Sequence, residues 1–168
     1  MKLWTRLAAA LAVAALMTLA PARAPVASMG NSLENSILLL LFNATAIADV
    51  AENDSSSPLT TIYVSLHSSD PGETGNQTTN ECAYTSYARV GVTRNGSNWI
   101  VTNNSVSPAA TISFPAATGS TCLATHFGVG TASSGSGVLW FKGTVSPNIS
   151  ISSGVTPQLT TSTAITLD

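Results

Sequence analysis

Hydrophobic and polar positions along the chain follow three successive patterns. Residues 7–20 are apolar almost without interruption, and residues 31–48 carry apolar side chains at helical spacing. After Pro58 the alternation shortens to two. In the middle segment Asn31 is placed to cap a helix, with Glu34 three residues on, where a carboxylate favours the positive helix end. Leu33, Ile37, Leu40, Leu41 and Ala44 then predict an amphipathic helix over residues 32–48. Its run from Ile37 to Phe42 is apolar all round, more than one core-facing stripe requires. The surplus is buried either under the domain's own sheet and loops or against another subunit, which makes Leu33, Glu34, Ile37 and Leu41 the assembly candidates.

In residues 60–67, Ile62, Val64 and Leu66 share one face and Tyr63, Ser65 and His67 the other, the pattern of a half-buried strand. The period recurs over 87–92, 99–102, 110–114, 122–129, 138–142, 148–151 and 159–167. Turn chemistry separates these segments: Asp70-Pro71-Gly72, Asn95-Gly96, Ser107-Pro108, Phe114-Pro115, Gly135-Ser136-Gly137, Ser146-Pro147 and Ser153-Gly154. Eight short strands at this spacing predict a mainly β fold, an antiparallel jelly-roll-like β-sandwich preceded by one helix. Asn95-Gly96 predicts a type I′ hairpin, whose two central residues need positive φ. The chain divides into a leader (1–28), a helix (29–50) and a sandwich domain (51–168), with a polar linker over residues 52–58.

The leader has Lys2 and Arg6, a short apolar run and the small-residue stretch around Ala22-Arg23-Ala24, the grammar of a signal peptide. Fourteen residues are too few for a bilayer-spanning helix, so no membrane anchor is expected. Pro25 sits badly for cleavage, and a translation start at Met29 is the alternative.

Composition removes other classes. Only 8% of the residues are charged, against about a quarter in an ordinary soluble protein. Hydroxyls take their place, with 23 Ser and 22 Thr among 168 residues. Six Lys and Arg in total, three of them in the leader, form no basic stripe for nucleic acid. From Asn95 to Leu167 the one charged side chain is Lys142. A charge-poor sheet surface suits a protein held in a fixed assembly or working outside cells.

Chemistry is sparse. His67 and His126 are the imidazoles available to a nucleophile, and no G-x-S-x-G elbow is present. Cys122 and His126 lie four residues apart on one strand, about 13 Å along it, and cannot meet. No catalytic residue and no cofactor site is expected. Asp70, Glu73 and Asn76, with Asn80 and Glu81, form a loop rich in oxygen donors and are weak metal candidates, though the spacing fits no EF-hand. Turns call for the same residue types. Cys82 and Cys122 are either bridged, in an oxidising compartment, or two buried thiols in a reducing one. Trp99, Trp140 and Phe141 serve core packing or a carbohydrate-stacking patch.

Several stretches resemble a family of small structural proteins of tailed bacteriophages, tail-fibre-like or virion decoration proteins. The marks are Ser32-Leu33-Glu34-Asn35-Ser36-Ile37-Leu38, Ile62-Tyr63-Val64-Ser65-Leu66-His67 with Asp70-Pro71-Gly72, and Asn80-Glu81 with Tyr84 and Tyr87-Ala88-Arg89-Val90. Phe114-Pro115-Ala116-Ala117, Thr125-His126-Phe127-Gly128-Val129-Gly130 and residues 135–140 follow in order. The resemblance runs from Met29 to the C-terminus. It implies a helix followed by a β-sandwich, no enzymatic activity, a start at Met29, and assembly with other virion proteins in the bacterial cytoplasm. A homo-oligomer, such as a trimer, and a host-surface glycan are the further partners expected. The alternative is a secreted or periplasmic carbohydrate-binding adhesin. Within the motif, Arg89 is expected to be partly buried and to pair with Glu81 or Asp70, fixing the long loop to the sheet.

Overall fold

The computed structural model describes residues 31–47, 51 and 59–167, so the leader and the polar linker lie outside the described residues. Helix α1 spans Asn31–Asn43, followed by strands β1 (Thr61–His67), β2 (Val90–Thr93), β3 (Trp99–Thr102), β4 (Ser105–Pro108) and β5 (Ile112–Ser113). Strands β6 (Cys122–Gly130), β7 (Leu139–Ile151), β8 (Gln158–Leu159) and β9 (Ile165–Thr166) complete the fold. It is mainly β, with one helix at the N-terminal side of the described residues. All pairings between named strands are antiparallel, in a four-stranded sheet of order β2-β1-β6-β7, a three-stranded sheet β3-β4-β9 and a two-stranded sheet β5-β8. The inner faces meet in one core, where Val64, Phe127 and Val129 of the large sheet approach Trp99, Val106, Ile112 and Leu159 of the other two.

The helix ends five residues earlier than its spacing predicts. Ala44 takes a left-handed φ of 55°, and the Thr45 N–H returns to the Leu39 carbonyl across the helix end. Its buried stripe is Glu34, Leu38 and Phe42, one residue out of phase with the expected one, and Leu33 is 46% exposed. Phe42 meets Trp99 edge to face at 4.9 Å and lies 5.6 Å from Phe141, so the helix is part of the core.

Asn95-Gly96 does not join a hairpin: β2 pairs with β1 and β3 with β4, in different sheets. Neither residue has positive φ. Asn95 instead closes a turn on itself, its Oδ1 accepting from the N–H of Ser97 and Asn98, each at 3.0 Å, and from Asn98 Nδ2 at 2.9 Å. The two-residue hairpin loop is Asn103-Asn104, between Thr102 and its partner Ser105, with Asn103 at φ 55°. Tyr87, expected at a strand start, lies in a turn closed by its own N–H on Tyr84 O at 2.9 Å. The expected 110–114 strand shrinks to β5 while β4 forms before it, and 159–167 divides into β8 and β9 around a turn at Thr160. β7 runs through Ser146-Pro147, yet its pairing with β6 lapses between Thr144 and Ile149. An edge strand tolerates a proline there because the missing N–H breaks no ladder bond.

β1 is not half-buried either. Ser65 and His67 are fully buried, as are Ile62 and Leu66 on the opposite face. The polar loop after β1 folds back over them, with Ser68 N–H on Asn80 O and Cys82 N–H on Leu66 O, both at 2.8 Å.

Candidate functional site

Arg89 stands just before β2 and reaches under that loop. Its Nε donates to Glu81 Oε1 and its Nη2 to Glu81 Oε2, both at 2.7 Å, a two-pronged pair in which the arginine side chain is 2% exposed and the glutamate 14%. Two further donors go to the β6–β7 hairpin loop, Nη1 to Ala132 O at 2.9 Å and Nη2 to Gly135 O at 2.8 Å. Tyr87 OH donates to Glu81 Oε1 at 2.9 Å while accepting from the Leu66 N–H at 3.1 Å. Hydrogen bonding to Glu81 holds the Arg89 guanidinium above its ordinary pKa, and burial pushes the Tyr87 phenol up. Asp70 takes no part, since its partner is Lys142.

Gln77 ties the same two loops from the other side. It is fully buried; its N–H donates to Gly137 O at 3.0 Å, and its Oε1 accepts from the Ala132 N–H at 2.9 Å. A Cβ on Gly130 or Gly137 would collide with the Gln77 side chain, so both positions need glycine for this approach. Residues 131–138 are thus anchored by Arg89 and Gln77 together, with Ser133, Ser134, Gly135 and Ser136 exposed at the tip.

His67 and Ser65 make the geometry of a catalytic pair without its access. His67 Nδ1 lies 2.8 Å from Thr79 O, which can only accept, so Nδ1 carries the proton and Nε2 accepts from Ser65 Oγ at 2.8 Å. Both residues are fully buried, and a Cβ on Gly128 would strike them both. Burial pushes the His67 pKa down, although Thr79 and Glu81 pull the other way. His126 faces His67 across the β1–β6 ladder and bonds Thr125 Oγ1 at 2.8 Å. Cys122 is joined to Cys82 as a disulfide, with Cα atoms 5.8 Å apart, and is not a thiol beside His126.

Of the metal candidates, Asp70 and Glu73 converge on the Lys142 ammonium at 3.1 and 3.0 Å. The Asn76 amide oxygen is taken up by Thr78, accepting from its N–H at 2.9 Å and its hydroxyl at 2.7 Å. Among the described residues no group of three or more His, Cys, Asp or Glu gathers to hold a metal ion. Glu73 and Lys142 line a cleft of about 280 Å³ together with Trp140 and Phe141. Of the three aromatic candidates Trp99 is buried, while Trp140 and Phe141 are both partly buried against the core and both line this cleft, Phe141 also packing on Phe42. A groove of about 440 Å³ between β7 and residues 158–164 is walled by Phe127, Thr144, Ser146, Thr160 and Ser162, and no titratable side chain lines it.

Arg94 escaped the sequence analysis. It is buried, and its guanidinium donates to the carbonyls of Leu40 and Leu41 in the last turn of α1 and to Leu59. A cation on these unpaired carbonyls complements the negative helix end and clamps the helix to β2. A basic residue directly after a strand, in a chain with so few charges, was the available signal. At the other end Glu34 is 3% exposed and its Oε2 finds no hydrogen-bond partner among the described residues. Of the assembly candidates, Leu33 is exposed while Ile37 and Leu41 are half-buried.

No curated protein matches the chain. No helix among the described residues is long and apolar enough to cross a membrane. A family model described as Podophage GP4 fiber I protein gp80 matches residues 28–167, most of the chain and the same span that carries the motifs above. The chain therefore belongs to this family of bacteriophage tail-fibre proteins, structural components of the virion.

Proposed function

We propose that the chain is a non-enzymatic fibre module that works by assembly. It joins neighbouring virion proteins, other copies of itself among them, through the outer side of α1, and assembles in the host cytoplasm, with a trimer as the expected copy number. One observation carries this: α1 has no charged residue after Glu34, yet Leu33 is exposed and Ile37 and Leu41 are only half-buried. An apolar helix side of this kind is out of place on a free monomer. Among the described residues the Ser65–His67 pair is sealed from solvent, and no titratable side chain lines the groove beside β7. The carbohydrate-binding alternative loses Trp99, which is buried, and keeps Trp140 and Phe141, which both line the small cleft beside Lys142.

The test is Leu33→Glu in particles produced by complementation. Its side chain is outside the core, so the variant should melt like the wild type and be missing from purified particles. Wild-type incorporation would overturn the docking role of α1.

A further inference from the structure

The segments that bring Cys82 and Cys122 together are tied by bonds that owe nothing to sulfur. Cys82 is fixed to β1 through its N–H on Leu66 O at 2.8 Å, and Cys122 opens β6 opposite Ile151 of β7. Beyond Cys82, residues 84–87 zip against residues 115–119. Thr85 N–H donates to Gly119 O at 2.8 Å and Thr118 N–H to Thr85 O at 3.1 Å. Ser86 and Thr118 hydroxyls meet at 2.6 Å, and Tyr84 OH donates to Pro115 O at 2.9 Å. The resulting Cα separation of 5.8 Å is in the middle of the range a disulfide needs. Cys82 is buried, Cys122 partly exposed.

We infer that these cysteines form a lock which closes on the already folded chain after it leaves a reducing cytoplasm; this timing rests on the virion role proposed above. Closure proceeds by exchange with a low-molecular-weight disulfide. The thiolate of the accessible Cys122 attacks one sulfur of that disulfide and expels the first small thiolate. The buried Cys82 then loses its proton and attacks the Cys122 sulfur of the mixed disulfide, expelling the second. The two protein sulfurs lose two electrons together, the small disulfide gains both, and the two thiol protons end on the released thiols. The lock fastens the loop that carries Glu81 to the start of β6 over a sequence separation of 40 residues.

The experiment uses the full chain purified under reductant, with oxidised glutathione as the oxidant. The reduced chain should already show one cooperative thermal transition. On oxidation its mass should fall by about 2 Da as both thiols disappear, and its melting midpoint should rise by on the order of 10 °C. Cys82→Ala/Cys122→Ala should fold and show no response to oxidant. Acid quenching followed by alkylation under denaturing conditions, which exposes the buried Cys82 as well, should label both cysteines in chains taken from infected cells and neither in released particles. A reduced chain without a cooperative transition, a reaction that stops at the mixed disulfide or links two chains, or a bond already present inside cells would each overturn the inference. Absence of the chain from particles would instead contradict the virion role, leaving closure in vitro to be read separately.

Discussion

Arg89 and His67 show what single residues contribute. Arg89 satisfies two carboxylate oxygens and two loop carbonyls at once, so Arg89→Ala strands Glu81 and both carbonyls together. Breaking a buried pair in this way costs about 3 kcal/mol, and thermal unfolding of the variant should show it; an unchanged melting temperature would refute the anchoring role. His67 is neutral in the fold, with its pKa pushed below the unfolded value of 6.5 by burial. The unfolded chain therefore binds a proton more readily than the folded one. The stability this gives is complete above pH 6.5 and is lost as pH falls from there toward the folded pKa. Denaturant midpoints measured from pH 8 downward should hold steady and then decline below 6.5, and His67→Gln should remove that decline. The Arg89–Glu81 pair was legible because charge is so scarce in this chain that two charges flanking a motif stand out. The burial of His67 was not legible, since alternation describes β1 alone and is silent on which loop covers its second face.

Among the elements, the helix shows how periodicity fails. Between Ile37 and Phe42 every position is apolar, so the pattern has amplitude without phase, and the core selected Leu38 and Phe42 over Leu33 and Ile37. Phe42→Ala should cost about 3–5 kcal/mol by emptying the space against Trp99 and Phe141, whereas Leu33→Ala should cost under about 0.5 kcal/mol; equal losses in chemical denaturation would contradict the observed phase. Asn95-Gly96 misled for a related reason. The dipeptide permits a primed turn, but the Asn95 side chain competes for the same N–H groups and wins. Asn103-Asn104 makes the hairpin without a glycine to announce it. At Ser146-Pro147 local chemistry was informative, since pairing stops there although the strand continues.

At the scale of the molecule, alternation and turn chemistry were enough for a mainly β antiparallel fold with one N-terminal helix. The partition into sheets of four, three and two strands was not, because pairings such as β1 with β6 are long-range and leave no local mark. The scarcity of charge reads the same way at every level: among the described residues, every ionic group but Glu34 is spent on Glu81–Arg89, Lys142 with Asp70 and Glu73, or the Arg94 clamp. What remains is a hydroxyl-coated surface suited to contact with other subunits. The direct test is electron cryo-microscopy of intact particles. This β domain should appear within a tail fibre, with the Leu33 side of α1 buried against a neighbouring subunit. A domain found there with that side of α1 facing solvent, or particles without the chain, would contradict this.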